Sequence, residues 1–182
     1  GFVMASTPAS TSVYATTGYH CSVTCGRVSF ALGLHGPCAS YDTACSSSLV
    51  AQHGASAALR LRECEAGLVA GVHLMLIPAI PLQYARAGIT SLLGRCHTFD
   101  SRADGFARGE GCGAIVLHSG QAGPTYLSYD GGAVQQDGRS ASLTAPNGQA
   151  QQAVLGAALA DAQLAPDQVA ALEAHGTGTA LG

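Results

Sequence analysis

Ala39-Ser40-Tyr41-Asp42-Thr43-Ala44-Cys45-Ser46-Ser47-Ser48-Leu49 is the stretch on which the reading of this chain turns. A short β-prone approach, Ala39 to Thr43, runs into a single cysteine. A segment rich in Ala, Leu, Gln and Arg follows, all good helix formers. The pattern predicts a strand over 39–43 and a helix over 46–62. The first N–H groups of a helix have no intrahelical partner and, together with the helix dipole, favour negative charge. A thiol placed there ionises more readily, and the thiolate is the nucleophilic form. The serines after Cys45 suit a helix start, where hydroxyls satisfy spare donors. Gly54 inside the helix costs about 1 kcal/mol against Ala, so it marks a place of close packing.

Outward from this stretch, helices alternate with apolar strands. Residues 1–20 read as loop, Cys25 to Leu34 as a short helix with Arg27 exposed, and Gly36-Pro37 as a turn. Gly67 to Ile77 is a continuous apolar run, expected as a buried strand ended by Pro78 and Pro81. Gly111 to Leu117 and Tyr126 to Gln135 read as further strands, and Asp137-Gly138 as a turn. Asn147 to Gln163 reads as a helix that Asn147 caps, with Ala153, Val154, Ala157, Ala158 and Ala162 as its apolar stripe. A last strand, Val169 to Ala174, delivers His175 into Gly176-Thr177-Gly178-Thr179. Such alternation argues for a layered α/β fold.

Composition narrows the function classes. The chain has 182 residues, 47% of them hydrophobic and 10% charged, which is enough for one domain with a sizeable core. All eight basic residues are Arg. The absence of Lys excludes a Schiff-base or phosphate-loop lysine within these residues. A net charge of −3 gives no reason to expect nucleic acid or an anionic membrane as partner. No signal peptide or membrane-spanning run is visible. The seven cysteines include no Cys-x-x-Cys pair. Cys21 and Cys25 are four apart, with no second pair or His cluster to complete a zinc site, so no metal is expected. Free thiols in a reducing, intracellular compartment, cytoplasm or plastid, account for them. The chain opens on Gly1 rather than Met and stops just after a motif, so it is expected to be part of a longer protein.

Cys45 and His175 form the candidate catalytic pair. Each is expected at the end of a strand, where the sites of open sheets tend to form. An imidazole near a thiolate activates it or donates to a developing oxyanion. Spacing alone leaves both residues open to structural readings. Cys64, Cys96 and Cys112, in apolar or small surroundings, are expected as buried thiols. Asp100, Asp104, Arg108 and Glu110 are expected as one polar network near a turn. Glu63 and Glu65 read as solvated, and Cys21, Cys25 and Cys38 carry no assigned role.

Six ordered motifs bear on the choice: Asp42-Thr43-Ala44-Cys45-Ser46-Ser47-Ser48-Leu49, Gly94-Arg95-Cys96-His97-Thr98-Phe99-Asp100, Ala103-Asp104-Gly105-Phe106 with Arg108-Gly109-Glu110-Gly111-Cys112-Gly113, Gln136-Asp137-Gly138-Arg139-Ser140, Leu143-Thr144-Ala145-Pro146-Asn147-Gly148, and Glu173-Ala174-His175-Gly176-Thr177-Gly178-Thr179. In order and spacing they resemble the β-ketoacyl synthase (ketosynthase) domains of type I polyketide synthases, over nearly the whole chain. Animal-type fatty acid synthases share the cysteine motif, but the Arg108 to Gly113 and Thr144 to Gly148 segments resemble the polyketide branch.

The resemblance implies a thiolase-like αβαβα fold of which residues 1–182 hold only part, mainly the N-terminal half with the nucleophile and the start of the C-terminal half. It implies that Cys45 takes an acyl chain from a phosphopantetheine thioester. A malonyl-type extender on acyl carrier protein then loses CO2 and attacks acyl-Cys45, with His175 matching the first of the family's two catalytic histidines. No cofactor is expected to bind directly, and a homodimer is expected for the full-length protein. The family's second histidine and a nearby lysine fall beyond His175. None of His20, His35, His53, His73, His97 and His118 stands in a matching motif. This chain alone is therefore not expected to condense substrates. Ala70-Gly71-Val72-His73 replaces the family's usual Gly-Gly-Val-Asn, and Ser91-Leu92-Leu93 its Ser-Pro-Asp turn. Other readings of the same residues are a fatty-acid ketosynthase, a Cys/His thioester hydrolase and a scaffold half that pairs with an active partner.

Overall fold

The computed structural model describes residues 14, 17–18, 20–120, 124 and 126–179. They divide into two units, Gly1–Val72 with Cys112–Thr125, and His73–Gly111 with Tyr126–Gly182. Of the stretch read as loop over 1–20, residues 17 and 18 are helical and most of the rest lie outside the described residues.

In the first unit, helix α1 spans Cys21–Leu32, four residues earlier at its start than the sequence predicted. A 3-10 turn, Ala44–Ser46, leads into helix α2, Ser47–Arg60. Strands β1, Ala66–His73, and β2, Gly111–His118, pair as a two-stranded sheet. Ser119 N–H donates to the Glu65 carbonyl at 3.4 Å, so the end of β2 lies beside the start of β1 and the strands run antiparallel.

Small residues set α2 on this sheet. A Cβ at Gly71 would stand 3.0 Å from the Ser48 Cβ, and one at Gly67 would stand 3.3 Å from the Ala55 Cβ. The helix therefore runs opposite to β1, with its first turn at the strand's C-terminal end. Residues 67, 69 and 71 share one face of a strand, and Val69 is buried between the two glycines, as Ala58 and Leu59 are on the helix. Leu68 and Val72 lie on the other face and are exposed. Gly54 meets the expectation of close packing, because a Cβ there would overlap the Tyr41 hydroxyl.

The second unit holds helix α3, Ala79–Arg86, and helix α4, Gly148–Ala162, followed by a 3-10 turn, Pro166–Gln168. Asn147 caps α4 as expected, its Oδ1 accepting from Gln149 N–H at 3.1 Å and Ala150 N–H at 3.4 Å. Its amide Nδ2 donates to the Asp137 carbonyl, and its N–H to the Asp137 carboxylate, so the cap also closes the 137–147 loop.

The four helices α1 to α4 stop in one way. Gly33, Arg62, Gly88 and Gln163 take left-handed φ values. The next residue in each case returns its N–H to the carbonyl five positions back, Leu34 to Ser29, Glu63 to Ala58, Ile89 to Tyr84 and Leu164 to Leu159.

Several sequence expectations are corrected. Segments 39–43, 126–135 and 169–174 make no ladder with any described residue. A strand exists only where a neighbour takes up its N–H and C=O groups, and β-prone composition does not supply that neighbour. The run from Gly67 ends as a strand at His73 rather than Ile77. Pro78 and Pro81 do not merely end it: they stand before and within the first turn of α3, where a missing N–H costs little. β1 and β2 are not buried on both faces, since Leu68 and Val72, on the face of β1 away from α2, are exposed. Cys64 is half-buried, and Cys96 and Cys112 are exposed rather than buried. Small neighbours in sequence leave a thiol open unless another element lies over it.

Candidate active site

Cys45 is the middle residue of the 3-10 turn and is exposed. The residue before it, Ala44, has φ 57, a left-handed value uncommon for any residue but glycine. This backbone turns the chain just before the exposed Cys45. Hydroxyls and a carboxylate hold the bend. Ser47 Oγ accepts from Thr43 N–H at 2.9 Å and donates to the Ala44 carbonyl at 2.7 Å. Ser46 Oγ lies 2.8 Å from Thr43 Oγ1 and donates to the Thr43 carbonyl at 3.0 Å. Asp42 Oδ1 accepts from Ala44 N–H at 3.4 Å. The serines thus bond backward across the bend, on both sides of Ala44.

His175 belongs to the second unit and is exposed. The loop after it is held by residues 97–105. Thr98 Oγ1 donates to the Gly176 carbonyl at 2.6 Å, and Gly105 N–H donates to the Gly178 carbonyl at 3.0 Å. Gly176, with φ 49, has no room for a side chain, since a Cβ would come within 2.7 Å of Thr98 Cγ2. Gly178 is buried against Ala103 and the backbone at His97. Two of the sequence motifs, which lie some 80 positions apart, are in direct contact.

The expected single network of Asp100, Asp104, Arg108 and Glu110 resolves into separate contacts. Asp100 pairs with Arg102 at 2.8 Å. The Arg102 guanidinium, then its backbone N–H, holds the Asp100 carboxyl down at about 2. Asp104 accepts from Leu92 N–H at 3.2 Å, and the Ser91 hydroxyl chiefly holds its carboxyl below the usual range. Arg108 places one nitrogen 2.9 Å from His73 Nε2 and its guanidinium 4.4 Å from the Tyr84 ring centre. Glu110 accepts from Met75 N–H. Each of the four has a different partner, for Arg108 and Glu110 one 35 positions away in sequence, so the four do not converge. Glu63 and Glu65 are exposed, as expected.

Sequence reasoning assigned no role to Ala44 or Thr98. The serine run was read as satisfying donors at a helix start, but Ser47 in fact spans the bend. Thr98 carries a legible signal only afterwards: it is a hydroxyl next to His97 in a motif, with no local backbone partner. Among the described residues, no group of three or more His, Cys, Asp or Glu residues could hold a metal ion. No described helix is long and apolar enough to cross a membrane.

Comparison with known proteins places these elements. Residues 2–122 match the family model for the β-ketoacyl synthase N-terminal domain, and residues 126–182 that for the C-terminal domain. A phenolphthiocerol/phthiocerol polyketide synthase of Mycobacterium tuberculosis is 47% identical over 185 residues, covering 99% of this chain and 12% of that protein. A phenolphthiocerol synthesis polyketide synthase of type I from Mycobacterium bovis is 49% identical over 174 residues, covering 93% of this chain and 8% of that protein. The chain thus spans about an eighth or less of these relatives.

Among solved structures, the ketosynthase from module 6 of the bacillaene synthase of Bacillus subtilis aligns with TM-score 0.85 and 36% identity, over 89% of this chain and 30% of that one. The oxazolomycin ketosynthase domain of Streptomyces albus aligns with TM-score 0.87 and 37% identity, over 91% and 30%. The described elements are part of the layered thiolase-like α/β fold that these domains share.

Proposed function

The chain belongs to the β-ketoacyl synthase family, and from that premise we propose that residues 1–182 form part of one ketosynthase domain of a polyketide synthase, with Cys45 as nucleophile and His175 as oxyanion donor. The observation that carries the reading is the exposed Cys45 on a bend whose preceding residue is held at φ 57. Backbone strain of this kind persists only where surrounding bonds over-determine it, and it gathers at functional sites.

The proposed reaction has two halves. The Cys45 thiolate attacks the carbonyl of an acyl thioester carried on phosphopantetheine. A new carbon–sulfur bond forms, the bond to the carrier's sulfur breaks, and the departing thiolate takes up the proton that Cys45 gave up on ionising. A malonyl-type extender on acyl carrier protein then loses CO2. Its carbanion attacks the acyl-Cys45 carbonyl, a carbon–carbon bond forms, and the bond to Cys45 breaks. Charge builds on the extender's thioester oxygen, where His175 donates a hydrogen bond, and on the acyl carbonyl oxygen, where the Cys45 N–H donates. Substrates arrive on carrier protein, so no cofactor need bind directly. A homodimer of the full-length protein and an intracellular setting belong to the same reading. The seven free thiols support that setting.

Intact-protein mass spectrometry after incubation with an acyl thioester tests the first half. The acyl mass should appear on the protein and vanish in Cys45→Ala; label that survives the substitution removes Cys45 from the mechanism. CO2 release from malonyl-carrier protein tests the second half. It should fall about 100-fold or more in His175→Ala. Free acid appearing without a carbon–carbon bond would favour a thioester hydrolase.

A further inference from the structure

Two further cysteines lie together outside the proposed site. On α1, Cys25 and Ser29 are one helical turn apart and share a face. Ser29 Oγ donates to Cys38 Sγ at 3.5 Å, which sets Cys38 against that face. Ser40 and Cys38 are the side chains that act on the Cys25 thiol. Cys38 therefore lies against the face of α1 that carries Ser29 and Cys25. Cys25 is half-buried and Cys38 is exposed. Ser40, and more weakly Cys38, hold the Cys25 thiol below its usual value against the opposing pull of burial. An accessible, thiolate-prone cysteine beside a second thiol is the arrangement that oxidants address selectively.

We propose that Cys25 and Cys38 are a reversible oxidation site at which hydrogen peroxide closes a disulfide between α1 and the segment leading to Cys45. With peroxide, the Cys25 thiolate takes one oxygen and becomes the sulfenic acid, releasing hydroxide. The Cys38 thiolate then attacks that sulfur, the S–S bond forms, and the second oxygen leaves as hydroxide. The two thiol protons complete two waters, so two thiols and one peroxide give one disulfide and two waters. Cys38 stands seven residues before Cys45, so the bond would tether the nucleophile's approach to α1.

The test is peroxide treatment of the whole folded protein, followed by alkylation, trypsin and mass spectrometry. Arg27 lies between the two cysteines, so trypsin separates them. The expected product joins peptides 1–27 and 28–60, two hydrogens lighter than the reduced pair and parted by dithiothreitol, with fragment ions placing the bond at Cys25 and Cys38 rather than at Cys21 or Cys45, which the same peptides carry. In Cys38→Ser the joined pair should be lost, and dimedone should trap a sulfenic acid on Cys25. The wild-type mapping stands alone if that variant folds poorly. The proposal is overturned if Cys25 and Cys38 stay alkylatable while Cys45 is oxidised, or if Cys25 joins Cys21 or Cys64 instead.

Discussion

The Thr98 hydroxyl donates a 2.6 Å hydrogen bond to the carbonyl of Gly176, the residue after His175. One motif thereby holds another in a left-handed backbone. Thr98→Val keeps the shape and deletes the donor, leaving the carbonyl unpaired. A lost hydrogen bond of this kind costs about 1 kcal/mol. Decarboxylation of malonyl-carrier protein should slow several-fold, and Thr98→Ser should restore it. Equal rates in Thr98→Val and wild type would detach this bond from the placement of His175.

Gly176→Ala should be worse than Thr98→Val. It forces a side chain onto φ 49 and into Thr98 Cγ2. The backbone cost alone is roughly 1 kcal/mol, and the overlap adds to it. Thermal unfolding should show a lower midpoint, and the paired Gly176→Ala, Thr98→Ser variant, which removes the obstructing methyl, should recover part of the loss.

At the nucleophile bend the sign depends on the side chain. Ala44→Gly relieves the φ 57 strain and should stabilise the protein by up to about 1 kcal/mol. Ala44→Val should destabilise it by more, because a β-branched residue tolerates that backbone least. Chemical denaturation orders the three. If strain at Ala44 presents Cys45, the glycine variant should also acylate more slowly despite its gain in stability.

Gly54→Ala should cost about 1–3 kcal/mol through overlap with the Tyr41 hydroxyl. Tyr41→Phe in the same chain removes the nearest atom and should return part of that loss. A double-mutant cycle on unfolding free energies reads the coupling. Additive effects would mean that Tyr41 moves aside without cost.

Acid should loosen the 97–105 loop late. Asp100 titrates at about 2 because Arg102 favours its charged form, whereas an unpaired aspartate titrates near 4. A folded-state value below the unfolded one gives a contribution that is full above about 4 and is lost as pH falls toward 2. Carboxyl NMR titration should find Asp100 still charged at about pH 3, and Arg102→Gln should bring its midpoint back toward the ordinary range. An unshifted midpoint in wild type would remove the pair from the loop's support.

The sequence read α2, α4 and β2 nearly to their ends, and the Asn147 cap to the residue. Each of these depends on chemistry within a few positions: helix-forming runs, a short polar side chain before a helix, a β-branched apolar stretch. The motifs around Cys45 and His175 were legible for the same reason, since chemistry-bearing residues with small neighbours recur in fixed order. Three segments with strand-like composition, 39–43, 126–135 and 169–174, carry no ladder among the described residues, because a strand needs a partner that its own residues cannot name.

What the amino-acid order determined was the local repertoire: which segments wind into helices, where caps fall, and which two residues carry the candidate chemistry. Only the tertiary structure decided that Ala44 sits at φ 57 ahead of Cys45, that Gly67 and Gly71 admit α2 onto β1, and that Thr98 grips Gly176. The physical reason is one of range. Propensity and capping act over a turn of helix, whereas strain, close approach and a hydrogen bond across 78 positions exist only once distant segments share the same space.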